Sequence, residues 1–123
     1  MSAENIALTK KLFECYTKKD RKTIGEIIDK DFHFLSPLDN RITRETYFDR
    51  CWPLSEQAGE FNFVHIVADG PRVFVIYESK DLDGRTFRNT EVHTFENREA
   101  VEVEVYFGWG LPHKAPPGGF IND

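Results

Sequence analysis

The spacing of apolar residues changes period once, near Glu60, and that change limits the fold more than any other feature of the chain. Before it the spacing is helical. Residues 4–18 put Ile6, Leu8, Leu12, Phe13, Cys15 and Tyr16 on one stripe with lysines opposite, which predicts an amphipathic helix. Asp20 is placed to cap a second, shorter helix carrying Ile24, Ile27 and Ile28. Gly25 weakens that helix by up to about 1 kcal/mol relative to alanine. Phe32-His33-Phe34-Leu35 reads as a short strand, stopped by Ser36-Pro37 and the turn-forming Asp39-Asn40. Thr43 opens a third helix with Tyr47, Phe48, Cys51 and Trp52, and Pro53 ends or kinks it. Beyond Glu60 the residues alternate, predicting four strands at about 60–69, 72–81, 86–96 and 99–108. Asp69-Gly70-Pro71 and Asp83-Gly84 are the turns between them.

Helices followed by an uninterrupted meander define an α+β domain, with three N-terminal helices in the concave face of a curved, mostly antiparallel sheet. The expected domain spans 1–110, with a Gly/Pro-rich tail over 111–123. A chain of 123 residues supports one core. Its eleven phenylalanines can fill that core or line a cavity, and composition does not choose between the two. A net charge of −5 argues against a nucleic-acid surface, and the basic cluster Lys10, Lys11, Lys18, Lys19, Arg21 and Lys22 reads as a solvated helix face. No run approaches the ~20 apolar residues of a membrane span. The opening Met-Ser-Ala-Glu-Asn lacks a signal pattern, so the expected location is cytoplasmic. Cys15 and Cys51 read as buried thiols rather than a disulfide. His33, His65 and His113 have no metal-ligand spacing, so no metal is expected.

Hairpin register assigns the sheet faces. With Asp83-Gly84 as a two-residue loop, Glu78 lies opposite Asn89, Ile76 opposite Glu91 and Phe74 opposite His93. Phe74, Ile76, Glu78, Phe87, Asn89, Glu91, His93 and Phe95 then share one face. The last strand sets Val101, Val103, Val105 and Phe107 against Glu102, Glu104 and Tyr106. Its apolar set faces the core, because burying two unpaired carboxylates costs several kcal/mol. A three-residue loop, Glu96-Asn97-Arg98, places that set beside Glu91, whereas a two-residue loop would flip it. The inner face thus presents an amide, a carboxylate and an imidazole at alternate positions, where apolar residues are the rule. Arg88 points outward, within reach of Glu104.

The order of elements resembles the SnoaL-like members of the NTF2-like superfamily. So does the run from Phe87-Arg88-Asn89-Thr90-Glu91-Val92-His93-Thr94-Phe95 to Val101 through Gly108. The resemblance covers about residues 4–110 and implies a conical α+β fold, often dimeric, found in isomerases, polyketide cyclases, epoxide hydrolases, dehydratases and non-catalytic binders. Relative to ketosteroid isomerase, Glu91 falls where that enzyme keeps a protonated oxyanion-hole carboxylic acid. The position of its general-base aspartate is Ser36 here, and that of its oxyanion tyrosine is Leu12, with Tyr16 not an equivalent. Those departures point away from steroid isomerisation by that route. The epoxide hydrolases need an Asp-Arg-Asp set in the pocket, and the cyclases are the nearest match to Glu91 with His93.

Two readings follow for this pocket. In one, the protein is a cofactor-independent isomerase, cyclase or lyase acting on a small apolar substrate. Glu91 is then the acid-base or oxyanion residue and His93 its catalytic partner. Asn89, Glu78, Tyr16, Phe13, Trp52, Phe74, Phe87, Val103, Val105 and Phe107 would bind the substrate. In the other, the same pocket holds a ligand without chemistry and Glu91 only anchors one polar group; with no functional role, Glu91 reads as a buried carboxylate satisfied by Asn89, His93 or a backbone amide. Either allows a homodimer through the outer sheet face around Val92 and Tyr106. Ser36 reads as a turn residue, since no GxSxG elbow surrounds it.

Overall fold

The computed structural model describes residues 2–108, so the expected tail lies outside the described residues. Helix α1 (Ser2–Lys18) and helix α2 (Arg21–Ile27) form where the stripes place them. Asp20 caps α2 by accepting from the Thr23 amide at 3.1 Å. Strand β1 (Ile28–Leu35) starts directly at the end of α2, earlier than expected, because Ile28 turns extended and pairs with Ala100. A two-residue strand β2 (Ile42–Thr43), too short to leave a periodic signal, pairs with His33 and Phe34. Thr43 ends it and caps helix α3 (Arg44–Cys51). Pro53 then sits in the first turn of a 3-10 helix (Trp52–Glu56), where its missing amide proton is not needed. Ser36 is a turn residue, its hydroxyl accepting from the Leu38 and Asp39 amides.

Strands β3 (Glu60–Asp69), β4 (Arg72–Lys80), β5 (Thr86–Glu96) and β6 (Glu99–Phe107) match the alternating stretch. The sheet order is β2-β1-β6-β5-β4-β3, with β1 and β6 parallel and the other pairs antiparallel. Helix α1 packs on β3 and β4, and α3 on β1, so the helices lie along the face that becomes the interior.

The two central hairpins correct the sequence-based register. Asp81 N donates to Arg85 O at 2.8 Å, which makes Leu82-Asp83-Gly84 a three-residue loop with Gly84 at φ +88. That is the usual turn with a glycine in the left-handed position, and it holds one residue more than a two-residue turn. Odd parity swaps the faces of β4. Val73 lies opposite His93, Val75 opposite Glu91 and Tyr77 opposite Asn89. Phe74 and Glu78, expected among the inner residues, therefore project outward with Ile76. Phe74 is 41% exposed, and Glu78 accepts from Arg88 Nε at 2.9 Å.

At the next hairpin the loop has two residues, not three. Asn97 and Arg98 take φ 50 and 67, the left-handed pair that suits the strand twist. The flip that such a loop should cause is undone by a bulge at Val101. Phe95 pairs with Ala100, yet Thr94 pairs with Glu102. Val103 then faces His93, Val105 faces Glu91 and Phe107 faces Asn89, so the apolar set of β6 does share the inner face.

Two apolar clusters fill the interior. The larger joins Leu12, Ile24, Phe32, Tyr47, Phe48, Val103 and Val105, and the smaller joins Phe13, Val75 and Tyr77 with Phe61 and Phe63 packed against them. Between 3-10 helix and sheet, the backbone at Gly59 passes so close to β4 that an added Cβ would sit 2.1 Å from Lys80 O. Gly59→Ala should therefore force the two segments apart. We expect a loss of about 1–3 kcal/mol, read from the urea midpoint against wild type.

Candidate functional site

Strand β5 turns Asn89, Glu91 and His93 inward at alternate positions, as the pattern predicts, and all three are buried or nearly so. A chain of hydrogen bonds links them, and its direction follows from one backbone group. An amide N–H can only donate. Gly108 N donates to Asn89 Oδ1 at 3.1 Å, so the Asn89 amide nitrogen faces the other way. It donates to the Tyr77 hydroxyl at 3.1 Å, and Tyr77 gives its own proton to Glu91 Oε2 at 2.6 Å. The second oxygen of Glu91, Oε1, lies 2.8 Å from His93 Nε2.

The other ring nitrogen fixes the remaining proton. His93 Nδ1 is buried and meets no hydrogen-bond partner among the described residues. A buried N–H without an acceptor is rarer in folded proteins than an acceptor without a donor. The proton therefore belongs on Nε2, which donates to Glu91. In this arrangement both oxygens of Glu91 accept a hydrogen bond. Phe13 from α1 stacks on the imidazole at 5.7 Å and 13°, which fixes the ring plane.

The helices face this strand with phenols. Tyr16 of α1 and Tyr47 of α3 share a 2.7 Å hydroxyl–hydroxyl bond, and Trp52 meets Tyr16 edge-on at 5.0 Å. Burial pushes the Tyr16, Tyr47 and Tyr77 hydroxyls well above the usual phenol range, and the negative charge of Glu91 adds to the rise in each. Burial likewise holds the Cys51 thiol at about 11, with Asp39 and then Glu91 contributing, so it is a protonated thiol at neutral pH and no nucleophile. Residues from both helices and the sheet thus feel one carboxylate.

Of the expected residues, Glu91, His93, Asn89, Phe13, Tyr16, Trp52, Val103 and Val105 are brought together on the inner side. Phe87 and Phe107 stand half-buried at the end nearest Asn89, while Phe74 and Glu78 are on the opposite face. Tyr77 and Tyr47 were not expected. The signal for Tyr77 was available, since turning Glu78 inward would add a second carboxylate to the face that already carries Glu91. Nothing periodic marks the hydroxyl of Tyr47, which reads simply as part of an apolar helix face. Two cavities lie elsewhere. One of about 360 Å³ is lined by residues including Asn5, Pro71, Phe95 and Arg98, and another of about 420 Å³ by residues including His33, Arg41, Arg72 and Glu102. Glu91 lines neither, and solvent meets it through the 13% of its side chain left uncovered.

The tautomer is directly measurable. With ¹⁵N-labelled histidine at neutral pH, His93 should show a protonated Nε2 and a bare Nδ1. A protonated Nδ1 would reverse the donor direction at Glu91.

Comparison with known proteins gives a consistent picture of the fold. The model of the SnoaL-like domain matches residues 9–103, three quarters or more of the chain. No curated protein matches in sequence. Among solved structures, an epoxide hydrolase of the LEH-like type from M. tuberculosis is similar with a TM-score of 0.72 and 19% identity, over 86% of this chain and 84% of that one. A protein named for SnoaL-like polyketide cyclases, from Jannaschia sp. CCS1, gives 0.72 and 12% over 85% of each chain. A de novo designed protein with a curved β-sheet gives 0.75 and 14%, over 87% of this chain and 88% of that one. At such identities the likeness is one of fold.

Proposed function

The chain belongs to the SnoaL-like domain family, and from that premise we propose that it is a cofactor-independent enzyme of isomerase, cyclase or lyase type. Glu91 would take a proton from a small, largely apolar substrate. The observation that carries this reading is the hydrogen-bond direction at Glu91. With Tyr77 and His93 both donating, the carboxylate has lone pairs to spare and no proton to give. That supports a base in preference to an oxyanion donor, since a base accepts a proton on a lone pair and an oxyanion donor must already carry one. His93 then acts through Glu91, orienting the carboxylate by donation from its Nε2. Asn89 and Tyr77 hold the other oxygen. Phe13, Tyr16, Trp52, Phe87, Val103, Val105 and Phe107 supply the apolar surroundings.

The likeness to an epoxide hydrolase does not extend to an arginine at this position. Arg88 lies on the outer face against Glu78. Once a substrate is found by screening small carbonyl and aromatic compounds, Glu91→Gln should lower turnover by about 10²–10⁴-fold. Unchanged turnover would remove Glu91 from the chemistry. One observation favours the alternative of a binder without chemistry, namely that both carboxylate oxygens are already engaged at 2.6 and 2.8 Å. A bound compound recovered unaltered after long incubation would support that reading.

The outer face supports a second copy as partner. The corrected register gathers Val67, Phe74, Ile76 and Tyr106 there at 58%, 41%, 38% and 51% exposure, on adjacent strands beside Val92. Contiguous apolar surface of this kind is uncommon on monomers. Sedimentation should give a dimer for wild type and a monomer for Phe74→Lys, and a wild-type monomer at high concentration would end this assignment.

A further inference from the structure

Gly25 is the residue of α2 that helix formation explains least, since glycine inside a helix weakens it. Its surroundings give a reason for it. A Cβ at Gly25 would meet Arg21 Nη1 at 2.6 Å and Arg44 Nη2 at 3.5 Å. The bare Cα therefore leaves space that the Arg21 guanidinium fills. Taken together, the two lengths hold those nitrogens within about 6 Å of each other, a range at which like charges repel.

Both guanidiniums also share one ring. Arg21 Cζ stands 3.6 Å from the Phe48 centroid and Arg44 Cζ 5.0 Å. Arg44 is anchored by main-chain oxygens, its Nε donating to Ile28 O at 3.4 Å and its Nη2 to Gly25 O at 2.9 Å. Arg21, grouped by the sequence with a solvated basic face, rests on the ring and meets no hydrogen-bond acceptor among the described residues. Stacking occupies the face of a guanidinium and leaves its five in-plane N–H donors unspent. What the pair lacks is a counter-charge. Arg41, Arg50, Arg88 and Arg98 each pair with an acid. Among the described residues neither Arg21 nor Arg44 does so, in a chain with 21 acidic residues against 16 Lys and Arg.

We propose that Arg21 and Arg44 form a binding site for a phosphate group, carried by a small soluble phosphomonoester. The dianion matches two guanidiniums in charge, and its tetrahedral oxygens point in different directions, so one can take Arg21 and another Arg44. Charge-assisted bonds of about 2.7–2.9 Å on either side reach across the gap. A planar carboxylate forks onto one guanidinium and leaves the other unpaired. The net charge of −5 is poorly suited to an anionic membrane, which favours a free phosphomonoester over a lipid headgroup. The site is separate from Glu91 and rests on no reading of that residue.

Inorganic phosphate, glycerol 3-phosphate and acetate are titrated into the full chain at constant ionic strength, with the amide and arginine Nε–H resonances of residues 21–25 and 44 as the readout. Both phosphates should give saturable shifts there and bind about 10-fold or more tighter than acetate. Arg21→Gln should weaken phosphate by a similar factor, while Arg85→Gln, which removes the same charge from a hairpin loop, should leave it unchanged. Gly25→Ala should keep the fold, read from Tm, and still weaken phosphate, because the new Cβ displaces Arg21 Nη1. Acetate binding as tightly as phosphate, an unaltered affinity in Arg21→Gln, or an equal loss in Arg85→Gln would each reduce the site to general surface charge and overturn the proposal. So would the absence of shifts at these residues in tens of millimolar phosphate. Co-sedimentation with vesicles containing phosphatidic acid, lost in Arg21→Gln, would make the phosphate a lipid headgroup and overturn the soluble ligand.

Discussion

The carboxylate of Glu91, set between Val75 on one strand and Val105 on the next, is the interaction on which the arrangement turns. Left unpaired in such surroundings it would cost several kcal/mol, enough to threaten a small domain whose whole stability is about 5–15 kcal/mol. It is tolerated because Tyr77 and His93 both donate to it. Those donors lie on the sheet itself, one on the neighbouring strand and one two residues along. The pairing of β4 with β5 is therefore tied to the carboxylate: a slip of one residue would carry Tyr77 to the outer face and leave Glu91 half satisfied. Register and site maintain each other.

The polar strand also divides the interior. On the β6 side lies the larger cluster, with Val103, Val105 and the rings around Tyr47. On the β4 side lies the smaller one, built from Phe13, Val75 and Tyr77. Helix α1 bridges them, since Leu12 belongs to the first and Phe13 to the second. Adjacent residues on a helix point roughly 100° apart, so one turn of α1 serves both sides of the seam. This is why Phe13 reaches the imidazole of His93 while Leu12 does not serve any polar role.

Much of this was legible in the chain. The change of period at Glu60 gave the fold class, and the capping residues Asp20 and Thr43 marked helix starts correctly. Asn89, Glu91 and His93 were placed inward by alternation along β5 together with the cost of burying Glu102 and Glu104 on β6. What could not be read was loop parity. Leu82-Asp83-Gly84 and Asn97-Arg98 differ from the expected loops by one residue each, in opposite directions. The first error moved Phe74 and Glu78 inside and hid Tyr77. The second was cancelled by the bulge at Val101, so the right face was reached with the wrong partners. Glycine in a turn shows that the chain reverses, but the same glycine suits loops of either parity. Desolvation of Glu78 was the physical cue that would have decided the first case.

Gly108 supplies the chain's starting donor from its main chain, and a Cβ there would lie 2.2 Å from Arg88 O. The polarity of the whole network is thus set by an atom that no ordinary substitution can alter, since only proline lacks the proton. Side chains around Glu91 can change without altering that donor, provided an amide-bearing residue follows β6. The sense in which the protons point is inherited with the backbone, and only the identity of what they serve is left open to change.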